Sequence, residues 1–327
     1  MKFSVIVPVY NRCDEVEALL QSLAAQTSKC FETIIVDDGS TEPCGEVCAR
    51  YPEANVRYYW KENEGRSPAR NYGMERATGD YFIFFDSDCV IPPGYFETLH
   101  TLPDCFGGPD AAHDSFSDVQ KAINFAMTSF ITTGGIRGGK VQLEKFTPRT
   151  FNMGFSREVW QHVGGFREMF SEDIDMSMRI RRAGYRTELI RPAAVYHRRR
   201  VNFKKFLKQV HVFGQSRITL QLLYPGSLKA VHCLPALFLT GCVMLILLAI
   251  TWSPWWLLPL GLYVLMLFVD ALIETKSLKV ALLAVPASFI QLWGYGAGFI
   301  RAWFGKILLG RGRDEAREIE IRKGANE

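Results

Sequence analysis

Two carboxylates one residue apart, Asp86 and Asp88, follow an unbroken apolar run at residues 81–85. Such a run is typical of a strand that is buried on both faces of a parallel sheet. In open α/β sheets, ligands bind beyond the carboxyl ends of the strands, so this strand would deliver both carboxylates to a ligand. Close carboxylates repel each other, and a cation such as Mg²⁺ or Mn²⁺ between them relieves this repulsion. Such a cation would neutralise the charge of a bound phosphate. An ordinary acidic turn without a metal remains the alternative.

Strand and helix patterns alternate through the first 85 residues. The β-branched or apolar runs that predict strands are 3–9, 31–36, 56–60 and 81–85, and the helical patterns between them are 14–26, 46–51 and 65–77. This alternation predicts an α/β fold with a mostly parallel, doubly wound sheet. The first strand is not followed by Gly-x-Gly-x-x-Gly, which excludes a dinucleotide-binding Rossmann domain.

Composition limits the partners. The chain has 327 residues, a net charge of +4 and eight cysteines, and most of its excess apolar residues follow Val231. A weak positive charge without a recognition motif argues against a nucleic-acid partner. The cysteines have no zinc-ribbon spacing, so we expect reduced, unpaired thiols, as in a cytosolic domain. We expect no signal peptide, because Met1 leads directly into a strand.

Four motifs lie in order along this predicted sheet. They are Val-Pro-Val-Tyr-Asn at 7–11, Val-Asp-Asp-Gly-Ser at 36–40, Pro-Ala-Arg-Asn-Tyr-Gly at 68–73 and Asp-Ser-Asp at 86–88. With these motifs the sequence resembles glycosyltransferase family two, the inverting nucleotide-sugar transferases of the GT-A fold. The resemblance covers residues 3 to about 200 and implies an enzyme that needs Mg²⁺ or Mn²⁺.

The resemblance also implies the position of each donor-binding residue. Asp37 and Asp38 would lie near the nucleobase, Pro8 and Tyr10 would line the same pocket, Arg70 would approach the diphosphate, Asp86 with Ser87 would lie near the ribose, and Asp88 would hold the metal. The chemistry agrees, since a carboxylate accepts a hydrogen bond from a base N–H and a guanidinium binds phosphate. An ordinary ion pair on a helix is the alternative for Arg70.

A second acidic cluster, Glu172-Asp173-Ile174-Asp175, follows Ser171 and is preceded by Gly-Gly-Phe. Ser171 as the N-cap, with acids in the first helical turn, would by itself explain these residues. The cluster resembles the second conserved region of the family, which implies that Asp173 is the general base and that Glu172 helps to place the acceptor. Asp175 is the competing base and would point to a different face of the helix.

Three further features have open interpretations. His197 resembles a recurring GT-A histidine near the metal or diphosphate, but a single histidine is often structural. The arginines at 198–200 could contact diphosphate, anionic lipid or solvent. The glycine-rich loop at 132–140 could approach a phosphate through its backbone N–H groups, or could be a plain mobile loop.

The C-terminal third has the pattern of a membrane anchor. The pattern of residues 202–224 predicts a basic amphipathic helix, which lies either in the membrane interface or docked on the transferase domain. The apolar stretches at 231–250, 255–273 and 280–300 are each long enough to cross a bilayer. We therefore divide the chain into a transferase domain (1–200), an interface helix (201–230), two to three transmembrane helices (231–303) and a basic polar tail (304–327). Three spans would put this tail outside the cell, against the positive-inside rule. Either the third segment, interrupted by Pro286 and Gly294-x-Gly-x-Gly298, is re-entrant, or it spans regardless.

Together these patterns predict a multi-pass inner-membrane enzyme with a cytoplasmic catalytic domain. It would move a sugar from a nucleotide-diphospho-sugar to a lipid-linked saccharide or polyprenyl phosphate, in surface polysaccharide or glycolipid synthesis. A processive synthase is the first alternative, although the Gln-x-x-Arg-Trp signature is missing. A non-catalytic scaffold that binds a nucleotide sugar is the second. Nothing in the sequence identifies the sugar.

Overall fold

The structure, a computed structural model, describes residues 2–111, 116–134, 146–197 and 202–312, with 316, 318 and 319. The chain forms two compact units. The first consists of Met1–His113 and Phe146–Arg198, and the second of Asp114–Lys145 and Arg199–Glu327. Nothing in the sequence pattern indicated that residues 114–145 join the second unit.

The secondary structure follows the predicted order in the first 85 residues. The strands are β1 (Phe3–Val9), β2 (Phe31–Asp38), β3 (Val56–Lys61), β4 (Tyr81–Phe84), β5 (Cys89–Val90), β6 (Cys105–Gly107), β7 (Asp110–Ala111), β8 (Met153–Ser156), β9 (Thr187–Leu189) and β10 (Val195–His197). The helices are α1 (Cys13–Ala24), α2 (Gly45–Ala49), α3 (Arg66–Arg76), α4 (Asp118–Thr128), α5 (Phe130–Thr133), α6 (Arg157–Val163), α7 (Glu172–Arg182), α8 (Phe203–Leu223), α9 (Ala230–Thr251), α10 (Leu258–Thr275) and α11 (Leu278–Ala302).

The main sheet of the first unit has the strand order β3-β2-β1-β4-β8-β6-β9. The predicted strands β1 to β4 are parallel to one another, which confirms the mostly parallel α/β sheet. Strand β8 runs antiparallel to both of its neighbours, β4 and β6. A second, three-stranded sheet has the order β5-β10-β7.

Apolar layers cover both faces of the main sheet. On one face α1 buries Val16, Leu19, Leu20 and Leu23, which recur at helical spacing. The opposite layer includes Met74 of α3 and Met176 of α7. Burying one such side chain stabilises the fold by roughly 1.5–3 kcal/mol, so these layers fix β1, β2 and β4 firmly. The loops at their carboxyl ends are thereby held in place.

The expectation that all cysteines are unpaired is wrong, because Cys13 and Cys44 form a disulfide. Cys13 begins α1 after β1, and Cys44 precedes α2 after β2. Since β1 and β2 are parallel neighbours, their carboxyl ends bring these two loops together, and the Cα atoms lie 5.2 Å apart. A separation of 31 residues has no motif character, so the pairing follows from the fold alone. The remaining six cysteines are free.

Three helical segments of the second unit are long and apolar enough to cross a membrane, namely Ala230–Thr251, Pro254–Thr275 and Leu278–Leu308. The first two are almost entirely uncovered by the rest of the protein, with 11% of each apolar window buried, whereas half of the third is buried. The amphipathic prediction for α8 agrees with its exposure, since Phe206 and Val210 are buried while Lys204, Lys205 and Lys208 are exposed.

The predicted interruption of the third apolar segment is wrong. Helix α11 runs continuously through Pro286 to Ala302 and continues as a π-helix to Leu308. Its glycines serve helix packing. A Cβ on Gly298 would lie 1.9 Å from the carbonyl oxygen of His211 in α8, and one on Gly296 would lie 2.5 Å from that of Pro235 in α9. The glycines thus allow two other helices to approach α11 closely.

Two predicted features lie largely outside the described residues. In the glycine-rich loop, Thr132 and Thr133 belong to α5, and residues 135–140 are outside the described part of the chain. The arginines at 198–200 are also outside it.

Candidate active site

Asp37 and Asp38, at the end of β2, are buried and bonded to their own loops. The Asp37 carboxylate accepts hydrogen bonds from the backbone N–H of Ser40 (2.9 Å) and Cys44 (3.1 Å) and from the Tyr58 hydroxyl (2.8 Å). It therefore holds the turn that contains Gly39, whose φ of +81° suits glycine. A nucleobase role for Asp37 remains a prediction.

Asp38 holds the loop that leads into α3. Its carboxylate accepts hydrogen bonds from the backbone N–H groups of Glu64 (3.1 Å) and Gly65 (2.7 Å), and pairs with Lys61 Nζ at 3.0 Å. Tyr10, which is predicted to line the same pocket, is 51% exposed, and Pro8 is half-buried in β1. Tyr10 thus presents a free aromatic surface beside rigid loops, and the base-binding roles of these residues stay predictions.

Arg70 joins the two acidic motifs of the first unit. Its side chain is 2% exposed, and its Nη1 donates to Glu172 Oε1 at 2.8 Å while its Nη2 donates to Asp86 Oδ1 at 2.9 Å. The ring of Phe166 lies under the guanidinium, 5.7 Å from ring centroid to Cζ. Residues 102 positions apart in the chain are thereby held in one cluster. The predicted diphosphate contact of Arg70 remains untested, since both terminal nitrogens bind carboxylates here.

Burial and neighbouring charges act in opposite directions on the pKa values of Arg70 and Glu172 in this cluster. Burial works against the charged form of Arg70, but the carboxylates of Asp86 and Glu172 outweigh burial and raise the pKa of the guanidinium. Burial also raises the pKa of Glu172, and the charges of Arg70 and Arg66 counteract part of that rise. Arg66 Nη2 lies 2.9 Å from Glu172 Oε2, so both oxygens of Glu172 are occupied by arginines. Glu172 is therefore positioned to orient the start of α7.

The two candidate bases lie in different environments. Asp173, in the first turn of α7, has an 18% exposed side chain, and Arg149 Nη1 lies 3.7 Å from its Oδ1. Asp175 is fully buried and pairs with Arg167 (3.2 Å) and Arg179 (2.9 Å). Only the carboxylate of Asp173, of these two, is open to solvent. Ser171 is the N-cap residue, but it has a φ of +66° and its side chain makes no capping hydrogen bond.

Asp88 and His197 form a candidate metal pair. Asp88 Oδ1 lies 3.1 Å from His197 Nε2, close to the ~3 Å between neighbouring ligands of an octahedral ion with bonds of about 2.1 Å. The ring of Phe151 stacks on His197 at 4.7 Å, and Asp110 Oδ2 lies 3.8 Å from Nδ1. The imidazole is thus fixed on one side and flanked by a second carboxylate, as metal-bound histidines commonly are. A carboxylate with an imidazole suits Mn²⁺.

The thiol of Cys89 belongs to the same group of potential ligands, within 4.8 Å of the other two. Burial raises the pKa of Cys89 well above its usual range, and the charge of Asp88 raises it further. The sulfur is therefore protonated near neutral pH, and a thiol is a poor ligand for a hard cation. The donor set that fits a metal is Asp88 with His197.

Glu15 is a site residue that the sequence analysis missed. It lies in the first turn of α1, and its Oε2 accepts a hydrogen bond from the Ser87 hydroxyl at 3.2 Å. Burial raises the pKa of Glu15, and the negative charge of Asp88 adds to the rise. The available signal was its place just after β1, at the same sheet edge as Asp88. The predicted nucleotide residue Ser87 is therefore tied to α1.

Comparisons with known proteins agree with this geometry. Residues 4–102 match the family model described as Glycosyl transferase family 2, and residues 81–270, more than half of the chain, match Glycosyl transferase family group 2. The uncharacterized glycosyltransferase YibD of Escherichia coli is 34% identical over 167 residues, 50% of this chain and 46% of that protein. GlyA of Streptococcus pneumoniae is 44% identical over 101 residues, 30% of this chain and 14% of that protein.

The chain thus matches less than half of the length of these curated relatives. Among solved structures, the mannosyltransferase PcManGT from Pyrobaculum calidifontis, in complex with GDP-Man and Mn²⁺, has a TM-score of 0.56 at 17% identity, with 93% of this chain and 88% of that chain covered. This likeness shows a GT-A-like fold. From the family matches and the fold together, the chain belongs to the family 2 glycosyltransferases.

Proposed function

We propose that this protein transfers a sugar from a nucleotide-diphospho-sugar to a lipid-linked acceptor, with inversion at the anomeric carbon. The observation that carries the proposal is the Arg70 bridge, which fixes Asp86 of the donor motif beside Glu172 and hence beside the solvent-open Asp173. This bridge would hold the proposed donor residues and the proposed base in one site, as a single-displacement transfer requires.

The proposed chemistry needs one base and no enzyme nucleophile. The acceptor hydroxyl loses its proton to Asp173 while its oxygen bonds to the anomeric carbon, and the bond to the diphosphate breaks on the opposite face. The leaving nucleoside diphosphate carries away the bonding electron pair. Glu172, held by Arg66 and Arg70, keeps the first turn of α7 in place for this step.

Asp88 and His197 are the residues that would hold a divalent cation. Bound there, Mn²⁺ or Mg²⁺ would offset the negative charge of the diphosphate. The fit of the donor set supports this role, as does the Mn²⁺ in the complex of PcManGT with its nucleotide sugar.

The second unit supports the proposed acceptor and location. Two uncovered apolar helices, α9 and α10, form a hairpin with the dimensions of a membrane anchor, at about 33 Å for 22 residues. An enzyme held at a bilayer meets lipid-linked acceptors there, whereas its donor is a cytoplasmic metabolite. We therefore place the catalytic unit on the cytoplasmic side of the inner membrane.

The test is nucleoside diphosphate release by the full chain in detergent, with a panel of nucleotide sugars, a membrane lipid extract and Mn²⁺. One donor should give lipid-stimulated release that EDTA abolishes and Mn²⁺ restores. Asp173→Asn should lower kcat by about 10²–10⁴-fold with donor KM nearly unchanged, because general base catalysis contributes that much.

Asp175→Asn is the matched control at the same helix. It should lower thermal stability, because it removes the carboxylate that pairs with Arg167 and Arg179, while the folded protein retains its kcat. Full kcat in Asp173→Asn would refute the assigned base. Release by no donor, despite nucleotide binding, would favour a non-catalytic scaffold, and polymeric product would favour a processive synthase.

A further inference from the structure

A groove of about 760 Å³ lies within the second unit, where α8, α9 and α11 meet. Helix α8 contributes Lys204, Lys208 and His211, and α11 contributes Arg301. The three α8 residues recur at positions i, i+4 and i+7, which places them on one face of that helix. Among the described residues, no carboxylate lines the groove. Its polar side is therefore strongly positive.

The opposite side of the groove is apolar. Leu207 of α8, Leu239 of α9 and Trp293 of α11 line it, and Leu207 and Trp293 remain 45% and 38% exposed. A soluble anion would leave these side chains in water. A molecule with a charged head and an apolar chain would cover both sides, because its head would meet the cations while its chain lay on the leucines and the indole.

Glycine makes the groove a built feature of the fold. A Cβ on Gly294 would lie 2.5 Å from the Cγ2 of Val210 and 2.9 Å from the Cδ1 of Leu207, so a larger residue would push these α8 side chains aside. Lys208 and His211 of α8 and Arg301 of α11 line the same groove between these two helices. Leu239 belongs to an uncovered apolar helix, so the groove opens toward the surface that the bilayer would cover.

We propose that this groove is a binding site for an anionic phospholipid of the bilayer, with its phosphate between Lys204, Lys208 and Arg301 and its acyl chain along Leu207, Leu239 and Trp293. The proposal rests on the membrane placement in the proposed function, and it does not depend on sugar transfer. Basic pockets beside membrane helices recognise phosphate head groups in this way. The site would hold the interface helix α8 on the membrane.

The test uses the full chain in nanodiscs without nucleotide sugar. Tryptophan fluorescence is measured in two titrations, one with brominated phosphatidylglycerol and one with brominated phosphatidylcholine. The brominated acyl chains quench an indole that they contact. We expect phosphatidylglycerol to quench at a lower mole fraction, and this excess quenching to disappear in Trp293→Phe. In the Lys204→Gln/Lys208→Gln variant, half-maximal quenching should shift by about fivefold for each lysine removed. Lys205→Gln, on the same helix but outside the groove, should behave as wild type.

Four results would overturn the proposal. The first is equal quenching by the two lipids, and the second is excess quenching that survives the double variant. In the third, inorganic phosphate at constant ionic strength removes the excess quenching by phosphatidylglycerol, which would mean that the groove recognises free phosphate. In the fourth, a polyprenyl phosphate displaces phosphatidylglycerol at far lower mole fraction, which would assign the groove to a prenyl lipid. A failed transfer assay would leave all of these readings unchanged, so the two hypotheses fail separately.

Discussion

Arg70 shows how one side chain can organise the candidate site. A guanidinium with 2% exposure is costly to bury, and the carboxylates of Asp86 and Glu172 compensate that cost. Removing either partner of a buried pair typically costs 3–5 kcal/mol, because an unpaired charge remains. The bridge is therefore rigid as long as all three groups are present. This rigidity keeps the end of β4 and the first turn of α7 at a fixed distance from each other.

Glu32 provides a residue-scale prediction for the pH dependence of stability. Its side chain is 3% exposed, and burial alone would raise its pKa. Hydrogen bonds from Thr78 and Ser4 and the Arg57 guanidinium outweigh burial and lower the pKa of Glu32 to about 2. Because the folded-state pKa lies below the ordinary value of 4.5, this carboxylate stabilises the fold fully above about pH 4.5. Its contribution, at most about 3 kcal/mol, is lost as pH falls toward 2.

We expect Glu32→Gln to lower the free energy of unfolding by up to about 3 kcal/mol at pH 7 and by less than half as much at pH 3. The measurement is urea unfolding in detergent, followed by tryptophan fluorescence at both pH values. Glu62→Gln, at an exposed position in the same unit, is the control and should change little. An equal loss for Glu32→Gln at pH 3 and pH 7 would contradict the assigned pKa.

The residues of the site were found to different degrees from sequence. Asp86, Asp88 and Asp173 follow from motifs, and the structure leaves Asp173 open while it buries Asp175. The Arg70–Glu172 contact could not be predicted, because it joins positions 102 residues apart. Glu15 was missed for a related reason. Its neighbour Ser87 is distant in the chain, and the one available signal, its place just after β1, is shared by solvated first-turn glutamates.

At the scale of elements, continuous apolar or β-branched runs predicted β1 to β4 and helical patterns predicted α1 to α3, because each pattern reflects how its own element is buried. Strand direction was less accessible. The reversal of β8 depends on where residues 105–152 lead the chain, which no local pattern encodes. The disulfide between Cys13 and Cys44 and the packing role of Gly298 are also products of neighbouring elements, not of spacing.

Helix packing in the second unit yields an element-scale prediction. A methyl group on Gly298 would lie 1.9 Å from the carbonyl oxygen of His211, which belongs to the backbone and cannot move aside alone. We expect Gly298→Ala to force α8 and α11 apart and to lower stability by about 1–3 kcal/mol, the usual cost of overpacking. Thermal unfolding in detergent measures this loss as a lower melting temperature.

Gly241→Ala is the matched control, because it lies in the apolar helix α9 and a Cβ there would meet nothing within 4 Å. Alanine favours helix over glycine, so this variant should be neutral or slightly more stable. If both variants lost the same stability, general sensitivity of the apolar helices would explain the effect, and close packing at Gly298 would not.

At the scale of the whole molecule, the course of the third apolar helix decides where the basic tail lies. Helices α8 and α11 run side by side in the same direction, since Gly298 meets His211, Lys306 Nζ bonds to Thr219 at 2.7 Å, and Gly312 meets Leu222. Helix α8 carries exposed Lys204, Lys205 and Lys208, and each lysine costs about 2.5–3.5 kcal/mol at the centre of a bilayer. We therefore expect a helix held along α8 to stay out of the hydrocarbon core.

The first half of α11 is also accompanied by an amphipathic helix. It packs against α4 in one apolar cluster, and Lys279 Nζ pairs with Asp118 Oδ2 at 2.6 Å where both helices begin. By contrast, α9 and α10 are uncovered, and the turn between them presents Trp252 and Trp255, which are 78% and 80% exposed. Tryptophan at a hairpin tip suits the opposite membrane interface. These contrasts favour a two-span hairpin with α11 in the interface.

A two-span hairpin puts the tail on the same face of the membrane as α8, in agreement with its basic residues. We expect a fluorescent protein fused after Gly312 to fluoresce in bacterial cells, as cytoplasmic fusions do, and alkaline phosphatase fused after Trp252 to be active, as exported fusions are. Arg301, Lys306 and Arg311 would then lie inside, where the positive-inside rule puts short basic segments. Active phosphatase fused after Gly312, together with inactive phosphatase fused after Ser277, would instead require α11 to span. In that case α8 and its lysines would have to be carried into the bilayer with α11, or the packing along Gly298 would have to be absent in the membrane.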